Sequence, residues 1–222
     1  MTVAERYERV LERVAAAAER AGREPTEITV VAIAKTFGAA AVLDALEAGV
    51  TDVGENRARE FRDKHAVVGD RARWHFVGHL QTNKVRQVVG GVVLIHSVDR
   101  FGLAEAISRR AERLGVVQDV LIEVNVAGEA SKHGVEPTRA PALAEEISGL
   151  AGIAVRGLMT MPPLAPTPEE SRRHFKELAA LAAQVGDATE LSMGMSGDFE
   201  VAIEEGATIV RVGQAIFGPR SQ

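Results

Sequence analysis

Eight short apolar runs, at residues 28–35, 51–54, 74–77, 92–95, 119–124, 154–159, 189–192 and 208–212, recur along the chain with helical patterns between them. A strand buried on both faces reads as a continuous apolar, β-branched run, and Ile28 to Ala34 is one, with Lys35 closing it. Strands that alternate with helices pair in parallel through right-handed crossovers. Eight such units suit a closed (β/α)₈ barrel of the TIM type better than an open sheet. A doubly wound open sheet is the alternative, but Lys35-Thr36-Phe37-Gly38 follows the first strand where a dinucleotide fingerprint would place G-x-G-x-x-G.

The helical segments carry their own punctuation. Val3, Tyr7, Val10, Val14 and Ala21 fall on one face of an extra N-terminal helix, with Glu5, Glu8, Arg9, Glu12 and Arg13 on the others. Thr2 and Glu5 suit a capping box, and Gly22 and Pro25 end the segment. Phe101, Ala104, Ile107, Ala111 and Leu114 form a second stripe, stopped by Gly115. In Thr167-Pro168-Glu169-Glu170, Thr caps and Pro takes the first turn; Phe175, Leu178, Leu181 and Val185 then form a stripe that Gly186 stops. The stretch Met161-Pro162-Pro163-Leu164-Ala165-Pro166 reads as a stiff loop after strand six.

Length and composition bound the function. With 222 residues and no linker or low-complexity tract, the chain is expected to form one barrel domain over residues 1–222. No apolar run approaches the ~20 residues that cross a bilayer. Met1 to Arg23 has no apolar core of the kind an export signal needs, so the cytoplasm is the expected compartment. The absence of cysteine removes disulfides, thiolate catalysis and Cys-ligated metals. None of the six histidines forms an HExxH motif, and His75 and His79 are the one pair spaced to share a strand face; no metal is expected. A net charge of −5 argues against a general affinity for polyanions, so neither nucleic acid nor membrane is an expected partner.

Active sites of such barrels form at strand C-termini, so polar residues there are the candidates. Lys35 shares a face with Val31 and Ile33, and a neutral amine among apolar neighbours can attack an aldehyde; the alternative is a lysine that ends its strand in solvent. Five lysines stand against twenty-one arginines, so the chain generally meets its need for surface cations with Arg. Leu191 to Asp198 leads from strand seven into a helix, and Val210-Arg211-Val212-Gly213-Gln214 follows strand eight. Both loops suit a phosphate through the Ser196 hydroxyl, backbone N–H groups and the close approach Gly213 allows. Ser196 as an ordinary N-cap and Gly213 as an ordinary turn residue are the alternatives. Arg211 shares parity with Ile209 and Gly213, which aims it into the barrel mouth or into an ion pair with Glu55 or Glu123.

Six segments resemble, in order, signature segments of the pyridoxal phosphate homeostasis protein family. They are Ala32-Ile33-Ala34-Lys35-Thr36, Val53-Gly54-Glu55-Asn56, Trp74 to Gly78 with Leu80 to Lys84, Gly157-Leu158-Met159, Leu191 to Ser196 and Val210 to Gly213. The resemblance implies a fold-type III barrel related to the N-terminal domain of alanine racemase, holding pyridoxal 5′-phosphate (PLP) as an aldimine on Lys35. It also implies Ser196, Gly213 and Gln214 around the phosphate, Arg211 beside the pyridine nitrogen, and Asn56, His75 and Met159 near the ring. Gln214 departs from the Thr that other members often carry. Lys132-His133-Gly134 is family-like too; Lys132 reads first as a solvated loop lysine, with a second amine near the site as the alternative.

An Arg at the pyridine nitrogen leaves it unprotonated and weakens the electron sink that carbanion chemistry needs. Alanine racemases add a Tyr base from a C-terminal β-domain; here the only tyrosine is Tyr7, and Gln222 follows soon after strand eight, so that domain is not expected. The reading is therefore a monomeric carrier or buffer of PLP, with apo PLP-dependent enzymes as recipients. A weak amino-acid racemase, or a PLP-free barrel enzyme for a phosphorylated metabolite, are the alternatives.

Overall fold

Parallel hydrogen bonding joins each strand to the next in sequence and the eighth back to the first, closing the barrel. The structure, a computed structural model, describes residues 1–129, 133–163, 165–186 and 189–219. Its strands are β1 Thr29–Ile33, β2 Asp52–Glu55, β3 Arg73–Phe76, β4 Leu94–Val98, β5 Gln118–Glu123, β6 Ile153–Met159, β7 Glu190–Met195 and β8 Ile209–Val212. The α-helices are α1 Val3–Arg20, α2 Ala39–Glu47, α3 Ala58–Val68, α4 Phe101–Leu114, α5 Ala140–Ser148, α6 Pro168–Ala182, α7 Phe199–Glu204 and α8 Gln214–Phe217. Between β3 and β4 the crossover is a 3₁₀ helix, Thr82–Gln87.

Strand ends differ from the sequence reading, most at three strands: β4 runs Leu94–Val98 where residues 92–95 were expected, and β1 and β7 differ for local reasons. β1 stops two residues before Lys35, because Thr36 takes a left-handed φ of 73° and turns the chain out of the sheet. That conformation is strained for a β-branched residue, and the Glu60 carboxylate holds it by accepting the Thr36 N–H at 3.0 Å. β7 runs on to Met195 through a register shift. Gly194 makes this bend feasible: its φ is 89°, and a Cβ there would fall 2.6 Å from Ala202 Cβ.

Helix signals fared well. The Thr2 hydroxyl accepts the Glu5 N–H, Glu5 accepts the Thr2 N–H, and α1 buries Val10, Val14, Ala17 and Ala18. Thr167 does precede α6, but its hydroxyl donates to the Glu170 carboxylate at 2.9 Å instead of capping a backbone N–H. Phe175, Leu178, Leu181 and Val185 are buried, and Gly115 ends α4 with φ of 68°. No helix among the described residues is long and apolar enough to cross a membrane.

Strand alternation sorts the core into two compartments. Outward-facing residues such as Ala32, Val53, Ile95, Ile122 and Val210 pack with the helices into one large apolar shell. Inside the barrel a smaller cluster of Val31, Ile33, Leu94, Leu121, Met159 and Ile209 shares the space with buried polar groups.

Candidate functional site

A cavity of about 630 Å³ opens at the C-terminal ends of the strands, where the topology of a barrel collects its loops. Lys35, Asn56, Ser196, Arg211, Gly213 and Gln214 all line it, although they come from four different loops or strands. His75 and Met159 do not: both are buried inside the barrel, outside the cavity wall. The Pro-rich loop after β6 supplies a further wall, with Met161, residues 165–168 and Ser171 of α6.

Lys35 is half-buried, so it is not a lysine that simply ends its strand in solvent. Its backbone is held from both sides. The Lys64 ammonium donates to the Ala34 carbonyl at 2.8 Å and pairs with the fully buried Glu55 carboxylate, while Glu60 holds Thr36. Burial pushes the Glu55 carboxyl up, and the bond from Lys64 opposes the push. Just beyond β2 the Asn56 backbone runs hard against Gly78, and the close approach needs glycine there: a Cβ on Gly78 would lie 2.2 Å from the Asn56 carbonyl oxygen.

Arg211 forms the cavity floor and is 5% exposed. Its guanidinium donates to the Ser192 hydroxyl at 2.6 Å and to the Thr160 carbonyl at 2.8 Å. Neither sequence-proposed carboxylate pairs with it among the described residues: Glu55 is taken by Lys64, and Glu123 acts on Arg211 only through space. Burial lowers the Arg211 pKa to about 10, against the opposing fields of Glu123 and Asp198. Burial likewise raises Glu123 to about 7, with the Asp99 charge adding and the Arg211 charge subtracting.

The loops after β7 and β8 meet as their sequences anticipate. The Gly213 N–H donates to Ser196 Oγ at 3.3 Å. Ser196 is not a helix cap, since Asp198 occupies the position before α7 and its carboxylate accepts the Met195 N–H at 2.8 Å. Gly213 has φ of −108°, open to any residue, and a Cβ there would meet the Ile33 carbonyl only at 3.4 Å. Neither conformation nor protein packing therefore demands glycine at 213.

Asp52, His96, Ser192 and Thr160 escaped the sequence reading as candidates, and the first three join His75 in one run of bonds. His75 bonds through Nε2 to Asp52 at 2.9 Å and through Nδ1 to His96 Nε2 at 2.9 Å; His96 Nδ1 bonds Ser192 Oγ at 2.8 Å. Parity marks His96 and Ser192 as inward, but their partnership depends on barrel register. His75 and His79 are not brought together. His79 lies beyond β3 and stacks on His133 with ring centroids 3.8 Å apart. Lys132 lies outside the described residues.

Residues 6–221 match the family model described as "Alanine racemase, N-terminal domain". A pyridoxal phosphate homeostasis protein of Aquifex aeolicus is 47% identical over 226 residues, covering 99% of each chain. The chain belongs to the pyridoxal phosphate homeostasis protein family. A Pseudomonas aeruginosa protein of that name is 42% identical, over 99% of this chain and 96% of its own. Among solved structures, PipY of Synechococcus elongatus with PLP bound aligns at a TM-score of 0.83 and 34% identity, over 97% of this chain and 100% of its own. Membership agrees with the closed barrel, and the residues named for the family's cofactor fall, six of eight, on one cavity.

Proposed function

We propose that this protein carries or buffers PLP in the service of intracellular vitamin B6 homeostasis, as a cytoplasmic monomer that holds the cofactor on Lys35 with little or no turnover. The observation that carries the reading is the gathering, in one cavity, of a half-buried amine, a buried guanidinium and a facing hydroxyl–glycine pair. The residues fit the group. Asn56 on the wall has a buried Oδ1 without a hydrogen-bond partner among the described residues, and the described residues do not themselves demand the room above Gly213. Ser196, Gly213 and Gln214 would receive the phosphate, Arg211 would donate to the pyridine nitrogen, and Asn56 would lie beside the ring. His75 and Met159 would act from beneath it. PLP supplies an aldehyde that a primary amine captures, and a ring that can withdraw electrons.

The arrangement favours holding over turnover. Arg211 is a donor that stays charged, so it leaves the ring nitrogen without a proton. Among the described cavity residues the titratable groups are Lys35, Asp198 and Arg211, and Asp198 is committed to its own loop. Tyr7 packs on the outer apolar shell. A second base across the substrate from Lys35, which racemisation requires, is not among them.

Three measurements test the reading. Purified protein titrated with PLP should develop the yellow absorbance of an imine, and should pass the cofactor to an apo PLP-dependent enzyme. Incubation with amino acids in deuterated water should give α-proton exchange at rates far below catalytic ones. Exchange at enzymatic rates would establish the racemase alternative, and absence of the yellow species would favour a PLP-free barrel.

A further inference from the structure

Asp52 stands at the N-terminal start of β2, at the far end of the barrel from the cavity, yet an unbroken run of hydrogen bonds links it to Arg211. The links are Arg211 Nη1 to Ser192 Oγ at 2.6 Å, Ser192 Oγ to His96 Nδ1 at 2.8 Å, His96 Nε2 to His75 Nδ1 at 2.9 Å, and His75 Nε2 to Asp52 Oδ1 at 2.9 Å. All five residues are buried. We infer that these bonds form a one-way donor chain in which Ser192, His96, His75 and Asp52 are positioning residues that fix Arg211 for the cofactor nitrogen. This deepens the PLP reading and rests on it for the last link only.

The direction follows from the two ends. A guanidinium can only donate, and an ionised carboxylate can only accept. Between them, two neutral imidazoles and one hydroxyl satisfy every bond in a single pattern. Arg211 donates to Ser192, Ser192 O–H to His96 Nδ1, His96 Nε2–H to His75 Nδ1, and His75 Nε2–H to Asp52. Each histidine is thereby held in its Nε2–H form.

The rest of the environment supports the pattern. Asp52 is kept ionised: burial opposes the charge, but the bonds from His75, Thr51 and Arg73 hold its pKa below the ordinary carboxylate value, and a positive charge on His75 would only lower it further. His96 is held neutral, because burial pushes its pKa well below the ordinary imidazole value, and a positive charge on His75 or on Arg211 only pushes it further. The competing pattern puts two protons on His75, turns His96 to its Nδ1–H form, and leaves the Ser192 proton without an acceptor in the chain. It also buries an extra cation. With Nη1 engaged by Ser192 and Nη2 by the Thr160 carbonyl, the guanidinium has little freedom to rotate away from the cavity.

The test uses the full chain labelled with ¹⁵N-histidine and long-range proton–nitrogen correlation, assigned through His75→Gln and His96→Gln. Both imidazoles should appear neutral and Nε2-protonated at neutral pH. A doubly protonated His75, or an Nδ1–H form of His96, overturns the chain whether or not PLP binds.

The second arm measures PLP affinity by absorbance. Ser192→Ala should weaken it roughly tenfold while borohydride still traps the cofactor on Lys35, and Ser192→Thr should restore it. Asp52→Asn, at the remote end, should weaken it severalfold. Wild-type affinity in both Ser192→Ala and Asp52→Asn refutes the positioning role. A wild-type protein that binds no PLP refutes the cofactor reading alone, with the imidazole spectrum still deciding the chain.

Discussion

Ile95 and His96 are neighbours on β4 and face different worlds. Ile95 points outward into the apolar shell between barrel and helices, while His96 points inward and is bonded on both ring nitrogens. The same contrast holds around the barrel. Ala32, Val53, Ile122 and Val210 look outward among aliphatic neighbours, and Gly54, His75, Glu123 and Arg211 lie within a mixed interior. Apolar packing tolerates many volume-conserving solutions, whereas a buried polar chain works only if each member finds its partner. Stability is thus concentrated in the shell, and the demands of a ligand are written on the inner face.

Substitutions on the two faces should separate these roles. Ile95→Ala should cost about 2–5 kcal/mol of folding stability by chemical denaturation and leave PLP affinity unchanged. A large loss of affinity there would dissolve the distinction. Arg211→Ala should act the other way, lowering PLP affinity by about a hundredfold in an absorbance titration while the protein remains folded.

Glu123 sharpens the comparison through pH. Its folded pKa, raised by burial from 4.5 to about 7, lies above the unfolded value, so the fold favours the protonated carboxyl. The group's contribution is therefore most favourable below pH 4.5 and falls as pH rises through about 7, by up to roughly 3 kcal/mol. Melting temperatures followed from pH 5 to 8 should show this decline in the wild type and a flatter profile in Glu123→Gln. Equal slopes would show that Glu123 ionises freely. The smallest effect belongs to the surface: Thr2→Ala, removing the cap of α1, should cost about 1 kcal/mol with no change in affinity.

Much of the shell was legible in the sequence because it depends on local periodicity. All eight strands overlap the apolar runs, and the stripes of α1, α4 and α6 turn inward as their spacing implies, except Phe101 and Leu114 at the two ends of the α4 stripe, which are exposed. Boundaries slipped where a single backbone angle decided them, at Thr36 and Gly194, and also at β4, which runs Leu94–Val98 where 92–95 was expected; the segment after β3 adopted a 3₁₀ helix. The cavity was legible in part: Lys35, Ser196, Arg211 and Gly213 sit at strand ends, where parity and turn chemistry point to them. The chain from Asp52 to Arg211 was not, because it joins strands β2, β3, β4, β7 and β8 through the closed barrel's geometry. Sequence parity shows that a side chain points inward but not which inward neighbour it meets. His75 was placed by resemblance beside the ring, and the structure sets it deeper, between Asp52 and His96.

Borohydride reduction of the PLP-loaded protein, followed by peptide mapping, tests the central claim most directly. The account predicts one pyridoxyl adduct, on Lys35, that disappears in Lys35→Ala. An adduct mapped to another lysine, or one that persists undiminished in that variant, would contradict it.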